Sequence, residues 1–217
     1  MNAATGEPAG DARAEVLGRI RSALGTEPHV PEVVRQHRTR GEHAPGSAPL
    51  LELLQDRLVD YKAGVHLSTA DGLGTTIAEV LQRVAPDGTV LVPSGLPHEW
   101  TDGRDVLRDD GTASIHALDS VAAVVTGCAA AIAETGTLIL DAGPEQGRRA
   151  LTLIPDVHVC VVRAGQVVQT VPEGVARLDP HRPQTWISGP SATSDIELQR
   201  VEGGHGPRTL EVVVVMP

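Results

Sequence analysis

Ala129-Ala-Ala-Ile-Ala-Glu-Thr-Gly-Thr-Leu-Ile-Leu140 is the stretch from which the fold can be read. A run of small apolar residues reaches a single carboxylate, Glu134, passes through Thr135-Gly136-Thr137, and leaves at once as a second apolar run. Apolar runs into and out of a glycine turn are the pattern of two strands folded over a tight connection. The turn then holds Glu134, Thr135 and Thr137 together at a strand end, the place where open α/β sheets present ligand-facing groups. A solvated loop charge has the same spacing, so the turn alone leaves both readings open.

Outward from this hairpin, the chain supplies runs of β-branched residues at 121–125, 157–162 and 212–215. Continuous Val-rich runs suit strands buried on both faces, as in a parallel sheet covered by helices on either side. With no Phe, one Tyr and two Trp, the core has to be filled by Val, Leu, Ile and Ala. At 217 residues the chain is long enough to bury a substantial core.

Charge and cysteine usage narrow the function classes. A net charge of −10 removes the electrostatic case for nucleic acid, and the few aromatics give no stacking platform for single strands. Cys128 and Cys160 are isolated, with no CxxC, so no iron–sulfur cluster or structural zinc is expected in this chain. Two lone cysteines suit a reduced cytoplasm. The start, Met-Asn-Ala-Ala-Thr-Gly-Glu-Pro, lacks a basic then apolar leader pattern, and no apolar window is long enough to span a membrane.

In chain order, Val16, Leu17, Ile20 and Leu24 fall on one helical face, with Asp11 and Gly25 as caps. Residues 26–49, with four prolines and three histidines, read as an irregular connector, and the His spacings match no metal pattern. Leu50, Leu51, Leu54, Leu58 and Tyr61 predict a second helix capped at Ser47 and broken at Gly64. A short strand at 65–67, a helix carrying Leu73, Ile77, Val80, Leu81 and Val84, and a strand at 89–92 make a βαβ unit. The loop Pro93-Ser-Gly-Leu-Pro-His-Glu-Trp100 follows as a pocket wall or an ordinary connection. Residues 101–113, charged and glycine-containing, carry no assigned element. A helical turn is expected within 145–153, a strand at 157–162 holding His158 as a core or edge residue, then further strands at 166–171 and 185–188.

Two more polar stretches bear on function. Ile187-Ser-Gly-Pro-Ser-Ala-Thr-Ser-Asp-Ile-Glu197 runs from a strand into a hydroxyl-rich loop, and Ser194 with Glu197 has capping-box spacing, predicting a helix start there. Backbone N–H groups at such a start, with Gly189, Ser191, Thr193 and Asp195, form an anion site or a cap and nothing more. Gly203-Gly-His-Gly-Pro-Arg208 holds His205 and Arg208 among glycines just before the closing strand at 210–215.

Ala131-Ile-Ala-Glu-Thr-Gly-Thr137, Ser188-Gly-Pro-Ser-Ala-Thr-Ser-Asp-Ile-Glu197 and Gly204-His-Gly-Pro-Arg208, in this order, resemble the lactate-utilisation C-protein family, the LUD-domain proteins. The resemblance extends to the Arg-flanked helix at 13–24 and to Leu153-Ile-Pro-Asp156. Residues 28–49 and 101–112 stand outside it. It implies an α/β fold with a Rossmann-like, mostly parallel sheet and helices on both faces, similar to the sugar-phosphate isomerase and CoA-transferase superfamily, plus a short N-terminal helix. The expected division is 1–49, helix and connector, and 50–217, the LUD-type domain. It also implies a role in cytoplasmic oxidation of L-lactate to pyruvate alongside iron–sulfur-containing partner subunits. No cofactor is assigned to this chain.

On these residues Glu134 and His205 are the candidate catalytic groups. Thr135, Gly136, Thr137, Gly189, Ser191, Thr193, Asp195 and Arg208 are the candidate ligand-binding set, with Arg208 pairing a small carboxylate and His205 accepting the proton of a 2-hydroxy acid. No metal ligands are assigned. Three hypotheses stand together: a subunit of a lactate-oxidising system, a stand-alone enzyme using Glu134 as nucleophile or base, and a non-catalytic assembly protein docking through the first helix. Whether the chain is an enzyme by itself, and whether it forms a homo-oligomer, stay open at this level.

Overall fold

The computed structural model describes residues 10–26, 31–190, 192–194, 200–202 and 206–217. The chain divides into two compact units, Met1–His37 and Arg38–Pro217. The first contains α1 (Gly10–Leu24), where the i, i+4 spacing of Val16, Ile20 and Leu24 predicts it, ending at Gly25 in the left-handed region.

The second unit is built on parallel strands. After α2 (Ala48–Asp60) come β1 (Gly64–Ser68), α3 (Leu73–Val84), β2 (Val90–Pro93), β3 (Val106–Asp109), α4 (Ile115–Asp119) and β4 (Ala123–Thr126). Then follow β5 (Ala130–Ile132), β6 (Thr137–Leu140), β7 (Val157–Arg163), β8 (Val167–Val168), α5 (Val171–Val175) and β9 (Thr185–Ile187). β10 (Ala192–Ser194), β11 (Arg200–Glu202) and β12 (Thr209–Val215) complete the chain. Among the described residues, a six-stranded sheet runs β1-β12-β7-β4-β2-β3, every pair parallel. A four-stranded sheet runs β8-β5-β6-β9, and β10 pairs with β11. The molecule is therefore of the α/β class.

Period-2 alternation explains how the valine runs are covered. Val90, Val92, Val125, Val159, Val161 and Val213 point to one face and pack under α3. Cys160, Val162, Val212 and Val214, one residue out of step, point to the other face and pack against α2 and the second sheet. A fully buried aliphatic side chain contributes about 1.5–3 kcal/mol, which is how a core almost without aromatics holds. Glu211 is buried on β12, where Arg83 and His66 meet its carboxylate at 2.8 and 2.7 Å; Gly64 leaves the room it occupies.

The structure corrects several local expectations. β3 lies inside the charged stretch 101–113; as an edge strand it is only partly buried, so Val106 and Leu107 stand among Arg and Asp without a long apolar run. β1 and β2 lie parallel in one sheet and are joined by α3, as the βαβ reading has it, with β12, β7 and β4 between them. Ser194 pairs with Arg200 across β10 and β11, and the helix expected to start after it falls on residues 195–199, which lie outside the described residues. Ser47 does stand at the N-cap of α2, yet its side chain makes no capping bond; proline in the first turn of the helix removes one of the donors it would serve.

Candidate functional site

The hairpin read from the sequence is present: β5 and β6 pair antiparallel, with Ala130 opposite Ile139 and Ile132 opposite Thr137. Gly136 carries the turn at φ +58°, a conformation that favours glycine. It also passes so close to α2 that a Cβ there would meet the Cβ of Arg57 at 2.8 Å. Gly189, at φ +87°, lies against the end of the same helix, where a Cβ would stand 2.7 Å from that of Tyr61. Both turns therefore line the last turn of α2, the segment that leads into the start of β1.

One hydroxyl chain joins them. Thr135 Oγ1 lies 2.7 Å from Thr137 Oγ1, which lies 2.8 Å from Ser188 Oγ. The pairing of β6 with β9 brings Ser188 here, just past the register pair Leu138–Ile187. Thr135, Gly136, Thr137 and Gly189 thus come together as a local cluster. Thr193 sits in β10, and Ser191, Asp195 and His205 lie outside the described residues.

Glu134 is framed by groups that sequence reasoning missed. One terminal nitrogen of Arg38 lies 2.6 Å from both of its carboxylate oxygens, and the Gln169 amide donates to Oε1 at 3.1 Å. The same Gln169 side chain accepts the backbone N–H groups of Glu42 and His43, at 2.7 and 3.0 Å. Gly41 makes this possible, since a Cβ there would collide with the Gln169 side-chain amide. Residues 38–43 are therefore a strap fixed to the hairpin through Gln169 and Arg38. The remaining nitrogens of Arg38, Nη1 and Nε, make no hydrogen bond among the described residues, and its side chain is 56% exposed. An arginine within a proline-rich loop carries no sequence signal of its own, because its partner is 96 residues away.

Arg208 is placed differently. Its Nε donates to Asp156 Oδ1 at 3.0 Å and Nη2 donates to the other oxygen, a fork that joins the starts of β12 and β7. That carboxylate holds the Arg208 guanidinium above its ordinary pKa. Asp156 belongs to the Leu153-Ile-Pro-Asp156 segment, so two stretches that the sequence singles out meet each other.

His158 is fully buried on β7. Its Nε2 lies 2.8 Å from Thr126 Oγ1, while Nδ1 has no partner among the described residues. Burial first, and the charge of Arg149 second, push its pKa down to about 4. A neutral core histidine is what these surroundings dictate. At the carboxyl ends of β4 and β7, Glu145 and Arg163 form a two-pronged ion pair at 2.8 and 2.9 Å, with the guanidinium 5.1 Å over the Trp100 ring. Glu145 raises the pKa of Arg163. Trp100 thus serves as an anchor beside the Pro93–Trp100 loop. Among the described residues, no group of three or more His, Cys, Asp or Glu side chains is arranged to hold a metal ion. No helix among them is long and apolar enough to cross a membrane.

Comparison with known proteins places this geometry in a family. The chain is 55% identical over 174 residues to "Lactate utilization protein C" of Deinococcus radiodurans, covering 77% of this chain and 80% of that one. It is 25% identical to the Bacillus subtilis protein of the same name, covering 92% and 94%. A crystal structure of a duf162 family protein from Deinococcus radiodurans superposes with a TM-score of 0.65 at 47% identity, over 77% of this chain and 97% of that one. The pattern that defines the LUD domain matches residues 44–215, which include the hairpin, Gln169 and the Arg208 fork but not Arg38, Glu42 or His43, and the chain belongs to the LUD domain family.

Proposed function

We propose that this protein acts in lactate utilisation, as a cytoplasmic subunit of a system that oxidises L-lactate to pyruvate with iron–sulfur-containing partner proteins. The observation that carries the role is the 55% identity to a relative named lactate utilization protein C. Oxidising a 2-hydroxy acid to a 2-oxo acid releases two electrons and two protons. In this proposal the electrons leave to the partner subunits, and this chain binds the small carboxylate and handles a proton.

The geometry supports the Glu134 corner as the binding place. Arg38 leaves Nε–H and Nη1–H without a hydrogen-bond partner among the described residues; the two point to opposite sides of the guanidinium, and each can give a ligand carboxylate one charge-assisted bond. A ligand held there lies beside Glu134 and the Thr135–Thr137–Ser188 hydroxyl chain. Arg38 thus takes the anchoring role that the sequence assigned to Arg208, whose fork is used by Asp156. Glu134 and His205 keep the proton-handling roles, and Gly189, Ser191, Thr193 and Asp195 stay the proposed ligand-binding residues.

The stand-alone nucleophile reading gains less from the structure. A carboxylate with a cation 2.6 Å from both oxygens is a poor nucleophile until that cation is drawn away. The test is growth on L-lactate as sole carbon source in a strain lacking the gene. Complementation by the wild-type chain is expected, with loss of growth for Arg38→Ala and Glu134→Gln at normal protein levels. Full growth with both variants overturns the site, and full growth without the gene overturns the role.

A further inference from the structure

The carboxyl edge of the six-stranded sheet carries a groove that the Glu134 corner does not use. One cavity of about 600 Å³ is floored by Leu73, Trp100, Val215 and Met216. A second, of about 390 Å³, adds Asp71, Thr75 and Asp102. The two share Ala70, Leu73, Glu99 and Trp100, so they form one continuous trough along the start of α3 and the turn His98–Thr101.

Its charge is one-sided. Asp71, Glu99 and Asp102 are exposed, and none of their carboxylates has an ion-pair or hydrogen-bond partner among the described residues. Among the described residues, Arg163 is the one basic side chain lining either cavity, and its charge is taken by Glu145. A cleft lined by one sign of charge focuses its field on whatever enters it. Below that rim the floor is apolar: Leu73, Trp100 and Val215 are buried core residues whose outer atoms face the trough.

We propose that this groove docks a basic amphipathic segment of a partner protein, with its Arg or Lys side chains on Asp71, Glu99 and Asp102 and an apolar side chain on the Leu73–Met216 floor. A small cation is a poorer match. An exposed ion pair is weak and screened by salt, so one or two contacts leave a small cation unbound, whereas one segment collects all three and adds an apolar anchor. The groove shares no residue with Glu134, Arg38, Gln169 or Ser188, so the inference stands apart from the proposed function.

The probe is a short fluorescein-labelled peptide with Arg and Leu at i, i+4 spacing, titrated with the full chain and read by fluorescence anisotropy. The triple variant Asp71→Asn, Glu99→Gln, Asp102→Asn, exposed positions with no packing role, is expected to bind about tenfold more weakly, as is the peptide with Ser in place of Leu. A second triple variant, Glu52→Gln, Asp87→Asn, Asp119→Asn, changes the net charge equally and is expected to bind like wild type. Equal losses in both triples, no loss with the Ser peptide, or a wild-type Kd above about 1 mM overturn the proposal. Acetyl-arginine amide displacing the peptide at equal concentration reassigns the groove to a small cation. Self-association abolished by the first triple reassigns it to a second copy.

Discussion

Acidification should unfold this protein partly through one residue, His158. The folded pKa of about 4 lies below the ordinary value of 6.5, because the imidazole is wholly buried and the charge of Arg149 opposes a second positive charge. Above pH 6.5 the ring is neutral folded or unfolded, and its contribution to stability is fully present. As pH falls from 6.5 towards 4 the unfolded chain takes up a proton that the folded chain refuses, so stability drops with falling pH. The gap between 6.5 and about 4, at about 1.36 kcal/mol per pH unit, amounts to about 3 kcal/mol. Against a typical total of about 5–15 kcal/mol, that is a large share. The assay is urea unfolding at a series of pH values for wild type and for His158→Asn, which keeps a polar group near Thr126 but does not titrate. The stability difference between the two chains is expected to shrink by about 3 kcal/mol between about pH 7.5 and pH 3.5. Curves that stay parallel within about 0.5 kcal/mol would refute the reasoning. If the variant is too unstable to compare, the imidazole carbon shift of His158 followed by NMR gives the same answer, and a midpoint near 6.5 rejects it.

Other consequences follow from the strap and the turns. Replacing Gln169 by Leu strands the N–H groups of Glu42 and His43 and should cost about 1–3 kcal/mol, with amide exchange accelerated at those two residues. Arg38→Ala removes a half-exposed ion pair and should cost no more than about 1 kcal/mol in thermal unfolding, so that a growth defect reports function rather than folding. Gly136→Ala forces a left-handed conformation and a clash with Arg57, and a loss of about 1–3 kcal/mol should appear in the denaturation midpoint. Leu138→Ala opens a hole where the hairpin meets α2, and the expected loss is about 2–5 kcal/mol.

The parts legible in the sequence are those governed by local pattern. The runs at 121–125, 157–162 and 212–215 became β4, β7 and β12, since uninterrupted β-branched residues need cover on both faces. The Glu134 hairpin was legible because Gly136 marks its turn. Strand order was not, because nothing local tells β1 that β12, rather than β2, lies beside it. The frame of the candidate site was hidden for the same reason: Arg38 and Gln169 are unremarkable until the fold sets them on either side of Glu134.

The most direct test of the account is a crystal structure of the protein grown with L-lactate. The account predicts the lactate carboxylate on Arg38, within about 3.2 Å of Nε or Nη1, with Glu134 and His205 both within hydrogen-bond reach of the same molecule. Lactate bound elsewhere, or an imidazole of His205 about 15 Å or more from Glu134, would contradict it.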